Sequence, residues 1–207
     1  QWYAEDKISI DWVRNKYPAA YAYFATYPFE NQKLSHSWVD GYMKSYKEAK
    51  LKDVRNETLE SYIKKYNNDE QSFFSWYEDF DKTSDLRIKA GVFDHVYWVD
   101  ALGIEWMSLI QHFVEENPSK MRIEHAYIAA TGLPTSTQHN SQECDTKISD
   151  LDEMVHGEYY QKYHTLAKQI TLIGEIVDDL CTQKADRRIL IISDHGLTAL
   201  SRLYQPK

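Results

Sequence analysis

Apolar and polar positions change their rhythm near Lys89. Before it, apolar residues recur at helical spacing and no strand-like run occurs. Ser9 to Tyr27, rich in Trp, Tyr and Ala, predicts a helix that Pro18 kinks or restarts and that Tyr27-Pro28 ends. Ser35 or Ser37 is placed to cap a second helix reaching about Ala49. Asn56 is placed to cap a third, with Leu59, Tyr62, Ile63 and Tyr66 along one face. Asp69 is placed to cap a fourth, whose aromatic stripe of Phe73, Phe74, Tyr77 and Phe80 is expected to face a core.

After Lys89 the pattern alternates between strands and helices. Val92 to Asp100 reads as a strand with an acid at its carboxyl end, and Ala101-Leu102-Gly103 as a turn. A helix is expected from Ile104 to about Asn117, stopped by Pro118, and a second strand from Met121 to Ile128. A polar loop from Ala129 to about Asp145 follows, then a long amphipathic helix from Glu158 to Cys181. Ile189 to Ile192 is an unbroken apolar run, the pattern of a strand covered on both faces. This order predicts an α/β fold with a parallel sheet flanked by helices over 89–207, preceded by an N-terminal helical region over 1–88.

Composition adds a few limits. The 207 residues are 43 % hydrophobic and 27 % charged, which suits a globular chain. The net charge of −8 argues against a general binder of phosphate backbones, though a bound metal would supply its own positive charge. Cys144 and Cys181 lack CxxC spacing and read as reduced thiols of a cytoplasmic protein. No apolar run approaches a membrane span. The start at Gln1-Trp2-Tyr3 and the end soon after a strand suggest an excised fragment.

Four groups of residues have chemical potential. Asp100 ends a buried strand, and Asp194-His195 follows the last one within Ser193-Asp194-His195-Gly196. Open α/β sheets bind ligands at such strand ends. Asp152 and His156, four apart, share a helix face and could grip one ion. Pro134 to Asn140, reading PTSTQHN, is a hydroxyl-rich loop. Together these groups approach the ligand set of two adjacent divalent metals beside an activated hydroxyl. The other histidines read plainly: His36 as a surface or cap residue, His95 as packed or at an edge, His112 and His164 as surface residues, His125 as lining the sheet. Lys184, Arg187 and Arg188 read as solvated.

The order strand-Asp, P-T-x-T, D-x-x-x-H, long helix, strand-S-D-H-G resembles the alkaline phosphatase superfamily. Its phosphodiesterase-type members carry a nucleophile loop P-T-x-T-F-P-N, matched here except at Gln138 and His139. From YWVDALGIEWMSLI to LIISDHGLTALSR the chain most resembles the PglZ domain, the phosphatase-like component of BREX phage-defence systems. The resemblance covers about 89–207, so the fold it implies is a truncated alkaline-phosphatase-like core. It implies Thr137 as nucleophile and Asp100, Thr137, Asp194 and His195 as one metal site. It assigns Asp152 and His156 to a second, with Asp150 or His164 as substitutes. The family's further histidine for that second site lies downstream of the DHG motif, so the site is expected to be incomplete and the fragment weak or inactive. Two zinc ions are the expected cofactors, with manganese an alternative. His139 and Asn140 are candidates for approaching the substrate phosphate.

The expected function is thus a metal-dependent phosphohydrolase acting on a phosphomonoester or phosphodiester, nucleic acid among the candidates, with other BREX proteins as partners and no membrane. The competing expectation is a phosphatase-like scaffold for assembling a defence complex. A sulfatase or phosphoglycerate-mutase-type enzyme shares the metal frame, but the sulfatase C/S-x-P-x-R motif does not occur.

Overall fold

Pro18 divides the first helical stretch. It lacks the N–H that a helix interior must supply, and so opens a new helix at its first position. The result is α1 (Ile10–Lys16) followed by α2 (Pro18–Phe24). The computed structural model describes residues 10–52, 54–67, 72–132, 137–158, 164–183, 187–194 and 196, with the backbone alone at 10, 137–138, 155–158 and 164–165.

A short 3-10 turn, Leu34–His36, leads into α3 (Trp38–Lys52). The next helix, α4 (Glu57–Tyr66), is capped as its sequence predicts: Asn56 Oδ1 accepts the N–H groups of Thr58 and Leu59 at 2.9 and 3.1 Å. For α5 (Phe73–Glu78) the cap is Ser72, whose Oγ accepts the Ser75 N–H at 3.1 Å; the expected cap, Asp69, lies outside the described residues. Then comes α6 (Thr83–Ala90), which stops at Gly91, where φ is 89° and a side chain would be strained.

The aromatic stripe is largely a packing surface. Trp38 stacks on Tyr66 at 4.0 Å, and Phe73 meets Trp38 edge-on at 4.9 Å. Phe80 is buried with Ile128 and Ala130, and Tyr77 packs beside it, while Phe74 is exposed. His36 departs from its sequence reading. It is buried, with Nε2 2.6 Å from Asp79 Oδ2, because the 3-10 turn folds it under α5. Hydrogen bonds from Lys33 and His36 hold the Asp79 carboxyl below its ordinary range.

The sheet has three parallel strands in the order β2-β1-β3: β1 (His95–Val99), β2 (Thr146–Ile148) and β3 (Ile189–Ile192). The register pairs Trp98 with Lys147 on one side and with Ile192 on the other. β1 is shorter than the run from Val92 suggests; Val92 itself is exposed. Met121 to Ile128 is not a strand. Arg122, Glu124, His125 and Tyr127 interrupt its apolar run, and it lies instead along the N-terminal region. There Ala126 O accepts the Glu30 N–H, Ile128 N–H donates to Asn31 Oδ1, and Ala130 N–H donates to Asp81 O. His125 therefore pairs with Glu30 at 3.1 Å rather than lining the sheet. The third strand comes from residues that read as the end of a loop.

Helices cover the sheet. A 3-10 turn, Ile104–Trp106, runs into α7 (Met107–Glu115); a one-turn α8 (Thr137–Asn140) precedes β2; α9 (Asp150–Glu158) and α10 (His164–Gln183) lie between β2 and β3. Trp106 and Leu109, Leu151 of α9, Ile173 and Val177 of α10, and Tyr23 of α2 form one core. The N-terminal helices thus share their interior with the α/β part. On a second apolar cluster Val96 and Trp98 meet Ile192. Both cysteines are free thiols. No described helix is long and apolar enough to cross a membrane.

The join between α3 and the α/β part is ionic and buried. Lys50 Nζ lies 3.9 Å from Glu105 Oε1, with the two side chains 6 and 5 % exposed, and 4.1 Å from the Trp106 ring. Lys47 Nζ donates to Ala25 O at 3.0 Å and to Ser108 Oγ at 3.4 Å. Burial lowers both lysines to about 8, only partly opposed by the Glu105 charge, and burial raises Glu105.

Removing one member should leave buried charge without an answer. Glu105→Gln is expected to lower stability by about 3 kcal/mol, and adding Lys50→Met should recover part of that loss; urea denaturation of both single variants and the double gives the coupling. Between about 8 and the ordinary lysine value of 10.5, Lys47 and Lys50 bind fewer protons folded than unfolded. Their linkage raises stability as pH climbs through that window. The thermal midpoint should rise between about pH 8 and pH 10, and rise less in the double variant.

Candidate functional site

Parallel pairing brings the two strand-end acids level. Trp98 of β1 lies opposite Ile192 of β3, and Asp100 and Asp194 each follow two residues on. The ladder persists one step past β1, since the Asp100 N–H donates to Ile148 O at 2.9 Å. Both acids are buried, Asp100 at 3 % and Asp194 at 2 % exposure. Buried carboxylates need donors or cations around them, and here both are present. Trp98 Nε1–H donates to Asp194 Oδ1 at 3.1 Å. Lys147 Nζ meets Asp100 Oδ2 at 2.7 Å and lies 4.8 Å over the Trp98 ring.

Lys147 reports how closely the acids converge. Its pKa is raised, chiefly by the hydrogen bond to Asp100; burial opposes this, and the charges of Asp100, Asp194 and Asp152 add to the rise. Asp152 is half-buried in the first turn of α9, where a negative charge also suits the helix dipole. Three of the acids singled out from the sequence therefore act on one ammonium group. Among the described residues no group of three or more His, Cys, Asp or Glu side chains is close enough to hold a metal ion. The donor chemistry nonetheless suits one. Two of these carboxylates are buried, and a cation, the Lys147 ammonium, already stands against Asp100.

The turns beneath the acids are tight. Ala101, fully buried, has φ 63°, a left-handed conformation that a non-glycine residue adopts at a cost. Gly103 and Gly196 bring the two turns together: a Cβ on Gly103 would lie 2.8 Å from Gly196 Cα, and one on Gly196 3.1 Å from Gly103 Cα. Glu105 packs against Gly103 as well, so the buried ionic cluster abuts the S-D-H-G turn. Only glycine permits this approach.

The remaining candidates are placed as follows. Thr137 opens α8, described there by its backbone. His139 is exposed. Asn140 is buried and spans the loop base, its side chain bonded to both the N–H and the C=O of Gly132, the latter at 3.2 Å. His156 lies one turn after Asp152 in α9, described by its backbone, and His195 lies outside the described residues. His95 Nε2 is 2.8 Å from Thr146 Oγ1, so it sits within the sheet.

Sequence reasoning missed Trp98, Lys147 and Glu105. Trp98 had a usable signal, because residues two apart on a strand share a face and Asp100 follows it by two. Lys147 had none without knowledge that Thr146–Ile148 is a strand.

The turn after β1 can be tested directly. Ala101→Val places a branched side chain in a fully buried left-handed position and should cost about 2–4 kcal/mol in denaturant titrations. Ala101→Gly should stay within about 1 kcal/mol of the wild type.

Comparison of the chain with known proteins finds no matching family model, no matching curated protein and no matching solved structure.

Proposed function

We propose that the chain is a PglZ-like part of a metal-dependent phosphohydrolase of the alkaline phosphatase type, serving a BREX-like phage defence with Thr137 as nucleophile. The observation that carries the reading is the level placement of buried Asp100 and Asp194 at the carboxyl ends of neighbouring parallel strands, both acting with Asp152 on a single cationic group. The sequence motifs around these residues support it independently.

In this reading Asp100, Asp194, His195 and Thr137 would hold one divalent cation, and Asp152 and His156 would contribute to a second. Zinc suits the mixed carboxylate and imidazole donors, and manganese is the alternative. Divalent cations held there would supply the positive charge that favours a deprotonated hydroxyl and offsets negative charge on phosphate oxygens. Thr137 Oγ loses its proton and bonds to phosphorus as the ester's leaving oxygen departs in line and takes up a proton. Water then cleaves the phosphothreonine and restores the hydroxyl. The buried surroundings of Asp100 and Asp194 strengthen every charge interaction in this step. His139 and Asn140, at the end of the same loop, are the proposed phosphate neighbours.

The test pairs metal analysis with hydrolysis of an aryl phosphate and an aryl phosphodiester. The expected result is bound divalent metal and turnover of at least one ester, with Thr137→Ala lowering turnover by about a thousandfold while metal content stays unchanged. Unchanged turnover in that variant would place the nucleophile elsewhere. Bound metal with no turnover of either ester would instead assign the protein a scaffold role in a defence complex.

A further inference from the structure

Lys147 has not been given a task by the proposed chemistry, yet its Nζ lies 2.7 Å from Asp100 Oδ2. The two partners differ sharply in freedom. The Asp100 side chain is 4 % exposed and the Lys147 side chain 39 %. Asp100 is fixed by burial and by the backbone ladder that continues to Ile148. Lys147 stands on β2, with its Nζ 4.8 Å over the Trp98 ring. One partner is held by burial, and the other has enough exposure to turn its ammonium out toward solvent.

We propose that the Lys147 ammonium is a resident counter-ion of Asp100 that a divalent cation must displace to enter the site. The inference rests on the metal-site reading above. A divalent ion bonds a carboxylate oxygen at about 2.0–2.2 Å. At that distance it claims the region that the ammonium now occupies on Oδ2, and the two positive charges repel. Asp100 touches the ammonium, and Asp194 and Asp152 act on it through their charges. With the ammonium in place their mutual repulsion is relieved, so the folded protein holds these acids together without metal. When the ion arrives, Lys147 turns toward solvent and the ion takes its place against Asp100. Lys147 thus stabilises the metal-free state and weakens metal affinity by the same interaction, as linkage requires.

Isothermal titration with Mn2+, supported by the electron paramagnetic resonance signal of free Mn2+, tests this on wild type, Lys147→Met and Lys147→Gln. Both variants should bind Mn2+ about tenfold more tightly than wild type. Both should also melt lower than wild type without metal, with the gap closing at saturating Mn2+; a merely structural lysine would leave the gap open. Equal or weaker Mn2+ binding by the two variants, with circular dichroism like that of wild type, would overturn the proposal and leave the metal site standing. Asp100→Asn serves as the separate control. If wild type binds Mn2+ and Asp100→Asn binds it equally well, or if wild type and both Lys147 variants bind none, the metal-site reading fails and this proposal fails with it.

Discussion

Two carboxylates buried at adjacent strand ends repel each other and lose their hydration, and the rest of the site is arranged around that constraint. The sheet order puts β1 between β2 and β3, so the central strand alone can address both neighbours. Trp98 donates its indole N–H to Asp194 on one side, while Lys147 reaches Asp100 from the other and rests on the same indole. One aromatic side chain therefore links the two answers to the two acids. A small sheet with a different strand order would leave one acid without its donor.

The same end of the sheet holds the other costly features. Ala101 is in a left-handed conformation immediately after Asp100, and the turns after β1 and β3 approach backbone to backbone at Gly103 and Gly196. Behind them lies the Glu105 carboxylate with Lys47 and Lys50. By contrast the opposite, amino-terminal reaches of the strands meet ordinary partners, such as the Arg188 N–H donating to Asp94 Oδ2 at 2.8 Å near the surface. Strain and buried charge gather where ligands bind in open α/β sheets, and a fold tolerates them there only when its remaining packing is sound. The core built on Trp106, Leu109, Ile173 and Tyr23 supplies that packing.

How far the sequence could be read depended on how each element is buried. β3 was legible because Ile189 to Ile192 reads as an unbroken apolar run, although it lies at the edge of the three described strands with only Ile192 buried and the other three half-buried. Helix starts were legible because they are set by local chemistry, as with the Asn56 cap and Pro18 at a first helical position. β2 was not, since an edge strand of Thr146, Lys147 and Ile148 has too few apolar positions to carry a period, and its existence is decided by the neighbour it pairs with. Met121 to Ile128 failed for the reverse reason. Its extended, mixed pattern is satisfied by Glu30 and Asn31 far away in sequence, a partner no local rule identifies. For the site, Asp100, Asp152 and Asp194 stood out by position, whereas Lys47, Lys50 and Lys147 did not, because nothing in a sequence marks which ammonium will be opposite a buried acid.

The position of Glu105 gives the N-terminal helices a physical connection to the candidate site. Its carboxylate is held between the ammonium groups of α3 and the paired glycines of the strand-end turns. Charge in a buried cluster cannot be redistributed without cost, so a shift of α3 must either drag Glu105 with it or separate the pair in a medium of low dielectric. Moving Glu105 in turn changes the room available to Gly103 and Gly196, where backbone atoms are already near contact. An ion pair wedged against two glycines resists sliding, and it makes the geometry of the S-D-H-G turn depend on how the preceding helices are seated.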